Sequence, residues 1–314
     1  MAAATVLVTG ASGFVGIELV RQLQAAGYRT ISANRDPGKT SGLGLESVRL
    51  PSPDDPVEAF ERILVGVDHI VHLAAIAHTR LADAADKYNS VNCVLAAKLA
   101  KAADKTVRGK FVFISSIRAQ CAGVYQGTAA ETDTPQPTDD YGRAKLRAEA
   151  EITKALPRGN YTILRPVLVY GPGVKGNMAA FIRLAGLPLP LPFKSLTGKR
   201  SLLDRTALCQ AVIHSLREAK TDAGIFIVAD SKAVTIPEIL VALRRGRNRR
   251  AHLFNCPVWI LDIAARLTGQ RDRWKTLNGD LVASSQLLQS TGWNAVANTA
   301  DRIEELSGQL AQHS

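Results

Sequence analysis

Thr5-Val-Leu-Val-Thr9-Gly-Ala-Ser-Gly-Phe-Val-Gly16, running on into Ile17–Ala26, is the stretch that decides the fold. Thr5–Val8 is a short apolar run rich in β-branched residues, closed by Thr9-Gly10. Immediately after Gly16 apolar residues recur at helical spacing (Val20, Leu23), with Gly27 as the stop. The three glycines form GxxGxxG between a strand and a helix. Gly10 permits the tight turn, Gly13 lets the backbone approach a pyrophosphate, and Gly16 allows helix to pack on strand. Ser12, Phe14 and Val15 complete the turn. The unpaired N–H groups at the helix start, aided by the helix dipole, are suited to an anion.

Outward from this turn, the next strand reads Arg29–Ala33 and runs into Asn34-Arg35-Asp36. An acid at that strand end would take both hydroxyls of an adenosine ribose, whereas arginine suits a 2′-phosphate. Arg35 therefore favours NADP over NAD; Asn34 or Asp36 on an unphosphorylated ribose is the other reading. Helices at Val57–Val65, Val91–Ala103 and Tyr141–Ala155 alternate with strands at His69–Leu73, Lys110–Ile114 and Tyr161–Leu164. That alternation predicts an α/β Rossmann fold, a doubly wound parallel sheet with helices on both faces. The expected division is a dinucleotide-binding domain over 1–170 and a smaller substrate-binding lobe over 171–314. Helices are read at Ala207–Arg217, Ile236–Arg244, Val258–Leu267 and Thr299–Leu310. The strand Gly224–Ala229 suggests that the chain re-enters the first domain around 200–230.

The 314 residues are 46% hydrophobic and 21% charged, a globular composition, with a formal charge of +11. Such a surface attracts anions but does not choose among nucleotides, nucleic acid and acidic membranes. Cys93, Cys121, Cys209 and Cys256 are far apart and read as reduced, mostly buried thiols rather than a disulfide framework. No metal is expected. The start lacks a basic n-region and no apolar window spans a bilayer, so the expected compartment is the cytoplasm.

Tyr141-Gly-Arg-Ala-Lys145 opens a helix with its tyrosine and lysine one turn apart on one face. A free phenol loses its proton near pH 10, and an ammonium within a few Å would lower that value. Tyr141 would then exchange a proton with a substrate alcohol or ketone while a nicotinamide exchanges the hydride. Ser115-Ser116, at the end of the fourth strand, offers a hydroxyl to the same substrate oxygen.

With TGASGFVG at Thr9–Gly16, HLAA at His72–Ala75, FVFISS at Phe111–Ser116, YGRAK at Tyr141–Lys145 and RPVLVYGPG at Arg165–Gly173, the chain resembles an extended short-chain dehydrogenase/reductase of the NAD-dependent epimerase/dehydratase family. GNM at Gly176–Met178, GKRSLL at Gly198–Leu203 and TGW at Thr291–Trp293 carry the resemblance through the tail. The resemblance implies Ser116 as the catalytic hydroxyl with Ser115 its neighbour. It implies Tyr141 as general acid/base, and Lys145 as the residue that binds the nicotinamide ribose and tunes the tyrosine. Leu73, Ala74 and Ala75 would line the adenosine and pyrophosphate path. Asn92 would stand on the cofactor side, and Pro166 and Val169 near the nicotinamide amide. Asn177 and Arg200 would hold the diphosphate of a nucleotide sugar; for Arg200 the guanidinium–phosphate match is also a physical reason. The family commonly dimerises through Rossmann helices, which leaves a homodimer open. Two departures, Asp204-Arg205-Thr206 and Asn294-Ala295 after the closing GW, fall in the substrate lobe.

The Arg244–Arg250 cluster lies before an apolar stretch, Phe254–Arg266. A solvated loop beside a packed helix is the preferred reading, ahead of peripheral contact with an anionic membrane. Nucleic acid is not expected, since no recognition motif accompanies the cluster. The favoured function is reduction of the 4-keto group of a UDP-linked sugar by NADPH. The resemblance places such enzymes in surface polysaccharide synthesis. A UDP-sugar 4-epimerase with NAD shares almost every catalytic residue. A non-catalytic sensor or scaffold on the same fold is the reading from a different class.

Overall fold

The computed structural model describes residues 3–38, 44–77, 84–269, 274, 276 and 278–312. Its centre is a seven-stranded sheet of β1 (Thr5–Thr9), β2 (Arg29–Asn34), β3 (Glu46–Arg49), β4 (His69–His72), β5 (Phe111–Ile114), β6 (Tyr161–Pro166) and β7 (Gly224–Val228). The spatial order is β7-β6-β5-β4-β1-β2-β3 and every pairing is parallel. The strands are short, and β1, β4, β5 and β6 at the centre are buried almost throughout, as a sheet covered on both faces requires.

One face is covered by α1 (Gly16–Ala25) and, from far along the chain, by α8 (Arg205–Arg217). Leu19, Val20 and Leu23 meet Leu208 and Val212 in one buried cluster. The other face carries α2 (Val57–Ile63), α4 (Leu95–Thr106) and α6 (Asp140–Ala155), through Phe60, Leu99, Ala148 and Ile152. α8 and β7 thus return the chain to the sheet over 205–228. The order turns back between β1 and β4, and the crevice beyond their carboxyl ends is where open sheets of this kind take ligands.

The third cluster builds the lobe. It joins Met178 and Phe181 of α7 (Gly176–Ala185), Ile239, Leu240 and Leu243 of α9 (Ile236–Arg245), and Ile303 and Leu306 of α11 (Thr299–Gln312). α10 (Val258–Leu267) lies against this cluster through Val258, Leu261 and Ala265.

Several elements depart from the sequence reading. β3 and α7 are additional. Glu46-Ser-Val-Arg49 is too polar to stand out, and α7 begins on glycine straight after a glycine-rich loop. The helix expected at Val91–Ala103 is α4 over most of its length, with its first residues in a π-helical stretch, Asn89–Val94, that feeds it. Wide turns of this type commonly sit at functional sites.

Candidate active site

The first glycine turn is built as its spacing requires. Gly10 has φ +71°, and a Cβ there would come within 3.0 Å of the Ala74 amide nitrogen, so only glycine lets the loop after β4 lie this close. A Cβ on Gly16 would stand 2.2 Å from the Gly10 carbonyl, which is the close helix–strand packing anticipated above. At Gly13 a Cβ would meet nothing but that same carbonyl, at 3.1 Å, so the turn leaves its outer side open. Thr9 ties the two loops: its hydroxyl accepts from Ala74 N at 3.0 Å and bonds His72 Nδ1 at 2.8 Å. His72 is stacked on Phe113, and burial pulls its pKa down to about 3, so it is neutral.

Leu73 and Ala74 line this junction half-buried, and Ala75 is exposed. Asn92 is wholly buried, and its amide is spent on one residue: Ile76 N donates to it and Ile76 O accepts from it, both at 2.9 Å. It holds the 73–76 loop in place beside the glycine turn.

The catalytic candidates meet between β5 and α6. Ser116 caps the four-residue α5 (Ile117–Gln120), accepting from Arg118 N. Asp139 caps α6, accepting from Gly142 N at 2.7 Å, and Arg118 forms an ion pair with Asp139. The two caps are therefore locked together, which sets the Ser116 hydroxyl in hydrogen bond with the Tyr141 phenol. Gly142 makes this approach feasible, because a Cβ there would lie 2.2 Å from the Arg118 carbonyl. Tyr88 of α3 (Ala84–Tyr88) packs edge-on against the Tyr141 ring at 5.8 Å.

The expected depression of the Tyr141 pKa by Lys145 is not what the geometry yields. Burial drives the phenol up to about 12, outweighing the Ser116 hydrogen bond that favours phenolate. Lys145 gives its ammonium to the Ile114 carbonyl at 2.7 Å and lies over the Phe113 ring. Burial lowers its own pKa to about 7, with the Glu149 carboxylate opposing the shift. The site thus pairs a protonated phenol with a lysine poised between its two charge states.

Beneath this pair is a network that sequence reading missed. Glu149, one turn beyond Lys145, accepts from Ser115 and from both Nε and Nη2 of Arg165, while Arg165 also bonds Gln120. All four side chains are buried. Of the two serines, Ser116 faces the phenol and Ser115 belongs to this network. The i+4 spacing of Lys145 and Glu149 was the available signal.

Other candidates are more dispersed. Pro166 ends β6, and Val169 lies in the short strand Leu168–Tyr170, which pairs with Leu202–Asp204. Asn177 is exposed in the first turn of α7. Arg200 is half-buried; it donates from Nη2 to the Gly279 carbonyl, and its Nε is buried without a hydrogen-bond partner. Burial lowers its pKa. Arg205, noted only as a departure, reaches the glycine turn: Nη1 donates to Pro172 O at 2.7 Å and Phe14 O at 3.4 Å, with the guanidinium over the Phe14 ring.

Arg35 is exposed at the end of β2. It lines a cavity of about 590 Å³ with Arg49 and Arg62, and among the lining residues Asp55 is the one carboxylate. Asn34 is turned inward, bonded to Ser12 and Ser32, and Asp36 accepts from Gly38 N.

Residues 6–229 match the model of the NAD dependent epimerase/dehydratase family. A UDP-glucose 4-epimerase of Vibrio cholerae is 33% identical over 300 residues, 92% of this chain and 90% of that protein. A dTDP-4-dehydro-6-deoxy-D-allose reductase of Streptomyces bikiniensis is 32% identical over 186 residues, 54% of this chain and 57% of its own. The crystal structure of the UDP-N-acetylglucosamine 4-epimerase of Bacillus cereus superposes with a TM-score of 0.74 at 20% identity, covering 99% of this chain and all of that one. At that identity the likeness shows the fold.

Proposed function

The chain belongs to the NAD dependent epimerase/dehydratase family, and on that premise we propose that it is an NADPH-dependent reductase of the 4-keto group of a UDP-linked sugar. The residues fit a dinucleotide: Gly13 leaves open the cradle a side chain would fill, and Gly10 brings the 73–76 loop against it. The turn Gly10–Gly16 would hold the pyrophosphate, Leu73–Ala75 would flank it, and Pro166 and Val169 would border the nicotinamide. Bound there, the cofactor supplies a hydride to the carbonyl carbon.

The protein's own task is the proton. The Ser116 hydroxyl neighbours the Tyr141 phenol, and a ketone oxygen set beside both can accept from each. As the carbon is reduced, Tyr141 gives its proton to that oxygen and an alcohol results. A phenol held near 12 carries its proton at neutral pH, as a free phenol near 10 also does, so Tyr141 has a proton to give but releases it less readily than a free phenol. Lys145, near 7, can return a proton toward Tyr141. Asn177 and Arg200 are the candidates for the sugar diphosphate, and the unpartnered Nε of Arg200 favours an anion beside it.

The observation that carries the cofactor preference is the cavity in which Arg35, Arg49 and Arg62 meet. It is suited to a 2′-phosphate more than to bare ribose hydroxyls. Replacing Arg35 and Arg49 with alanine should lower the NADPH-to-NADH ratio of kcat/KM by roughly 10–100-fold, the loss of one or two charge-assisted hydrogen bonds. An unchanged ratio refutes the assignment. The second reading is a 4-epimerase using NAD. The full-length similarity to the Vibrio cholerae UDP-glucose 4-epimerase favours it, and it predicts tightly held NAD with C4 epimers interconverting without net redox change.

A further inference from the structure

We propose that the outward face of α10, together with the arginine-rich loop after α9, is a docking surface for an anionic lipid bilayer. This goes beyond the redox reading and does not depend on it.

α10 is apolar on two sides. Val258, Leu261 and Ala265 face the lobe core. Trp259, Ile263 and Leu267, one helical turn apart on the outer side, are 64%, 46% and 83% exposed. A helix apolar all round normally has partners all round; here Ile263 and Leu267 are open to solvent, and Trp259, though it lines a cavity with Trp274 and Asn278, is mostly exposed. The patch extends past the helix: Leu187, Leu189 and Phe254 are also exposed. Among the described residues, seven of the twelve exposed large hydrophobic ones, Ile260 included, fall in these two stretches. Concentrated exposure of this kind marks a contact surface.

The charges decide what covers it. Arg244 is fully buried and donates to the carbonyls of Leu187, Leu189, Ala251 and His252. Arg249 bonds the Gly186 carbonyl, and Leu191 bridges Leu253. The loop bearing the arginines is thereby clamped along the segment bearing Leu187 and Leu189. Residues 183–203 and 239–261 contain no aspartate or glutamate, and Asp262, the one acid of α10, is paired with Arg266. Glu238, Asp301 and Glu304 share a cavity with Arg245 and Lys194. Arg247, Arg249 and Arg250 form no ion pair among the described residues. A second copy of the chain would bring the same cations to this face, with no carboxylate in either stretch to answer them. A bilayer of anionic headgroups answers both halves: phosphates for the arginines, the acyl boundary for Trp259, Ile263 and Leu267. No helix among the described residues is long and apolar enough to cross a membrane, so the contact is peripheral.

Co-sedimentation of the full chain with vesicles of phosphatidylcholine containing roughly one-third phosphatidylglycerol tests this. The protein should pellet with them, stay in solution with pure phosphatidylcholine, and be released as salt rises. The exposed pair Arg249→Gln/Arg250→Gln should bind roughly 10–30-fold more weakly. Trp274 and Trp293 are buried, so Trp259 dominates any change in emission. A blue shift on anionic vesicles that Trp259→Phe removes supports insertion of α10 and needs no destabilising change. Failure to pellet with anionic vesicles, equal binding to neutral ones, or binding unaffected by the arginine pair overturns the proposal. So does self-association that Trp259→Glu abolishes, which would assign the face to a second copy.

Discussion

At the scale of single residues the account turns on Tyr141. Its neighbours are Ser116, Tyr88 and the Arg118–Asp139 pair, and burial keeps the proton on the phenol. A protonated phenol can deliver its proton to a carbonyl oxygen that becomes strongly basic as its carbon is reduced. Tyr141→Phe should lower kcat by about 10²–10⁴-fold, the usual range for a positioned acid, with the unfolding midpoint little changed. Lys145 adds a pH signature. Burial lowers its pKa from 10.5 to about 7, so it is cationic below that value and neutral above it. If it resupplies the proton, turnover in the reductive direction should decline as pH rises through about 7. A rate profile flat from pH 6 to pH 9 would remove Lys145 from that role.

At the scale of elements, the site depends on two helix starts meeting. Ser116 caps α5, Asp139 caps α6, and Arg118 joins them. Gly142 is the contact point. Gly142→Ala places a methyl 2.2 Å from a backbone carbonyl that cannot swing aside. The substitution should cost about 1–3 kcal/mol by denaturant titration and reduce kcat together with it, since α6 must back away from Ser116. An alanine variant with wild-type stability would show that the close approach is not needed.

These helix starts also show what could be read in the sequence. The glycine turn, Ser-Ser and Tyr-x-x-x-Lys are local patterns, and each element that carries them lies within a residue or two of its expected place. What escaped was carried by partners distant in sequence. Glu149 and Arg165 pair across 16 positions, and Arg205 reaches Phe14 across 191. Arg49 joins Arg35 only because β3, whose polar sequence gives no strand signal, lies beside β2, while Arg62 comes to the same cavity from α2. The high pKa of Tyr141 also arises from tertiary burial, whereas the i+4 spacing alone pointed the other way.

At the scale of the whole molecule, the lobe is joined to the sheet through buried acids. Tyr170 donates to Asp230 at 2.9 Å, Asp204 N donates to Asp230, and Asp204 both caps α8 and pairs with Arg302 of α11. Burial raises the Asp230 pKa from 3.8 to about 7. Between those values the folded chain keeps a proton that the unfolded chain releases, so stability from this group is full below about pH 4 and lost as pH rises toward 7. Asp230→Asn removes this titration. Urea midpoints of the wild type should fall by the equivalent of roughly 2–4 kcal/mol more than those of the variant across that window. Parallel curves for the two proteins would show that Asp230 is not protonated in the fold.

In the proposed function, the glycine turn, the Ser116–Tyr141 pair and the arginine cavity serve transfer of a hydride from NADPH to a sugar ketone. The most direct measurement follows deuterium from nicotinamide-4-deuterated NADPH, offered with a UDP-4-keto sugar. The account predicts one deuterium at C4 of the product for each NADPH oxidised, using the hydrogen face that the bound cofactor presents. Interconversion of C4 epimers with no NADPH consumed and no deuterium in the sugar would contradict it.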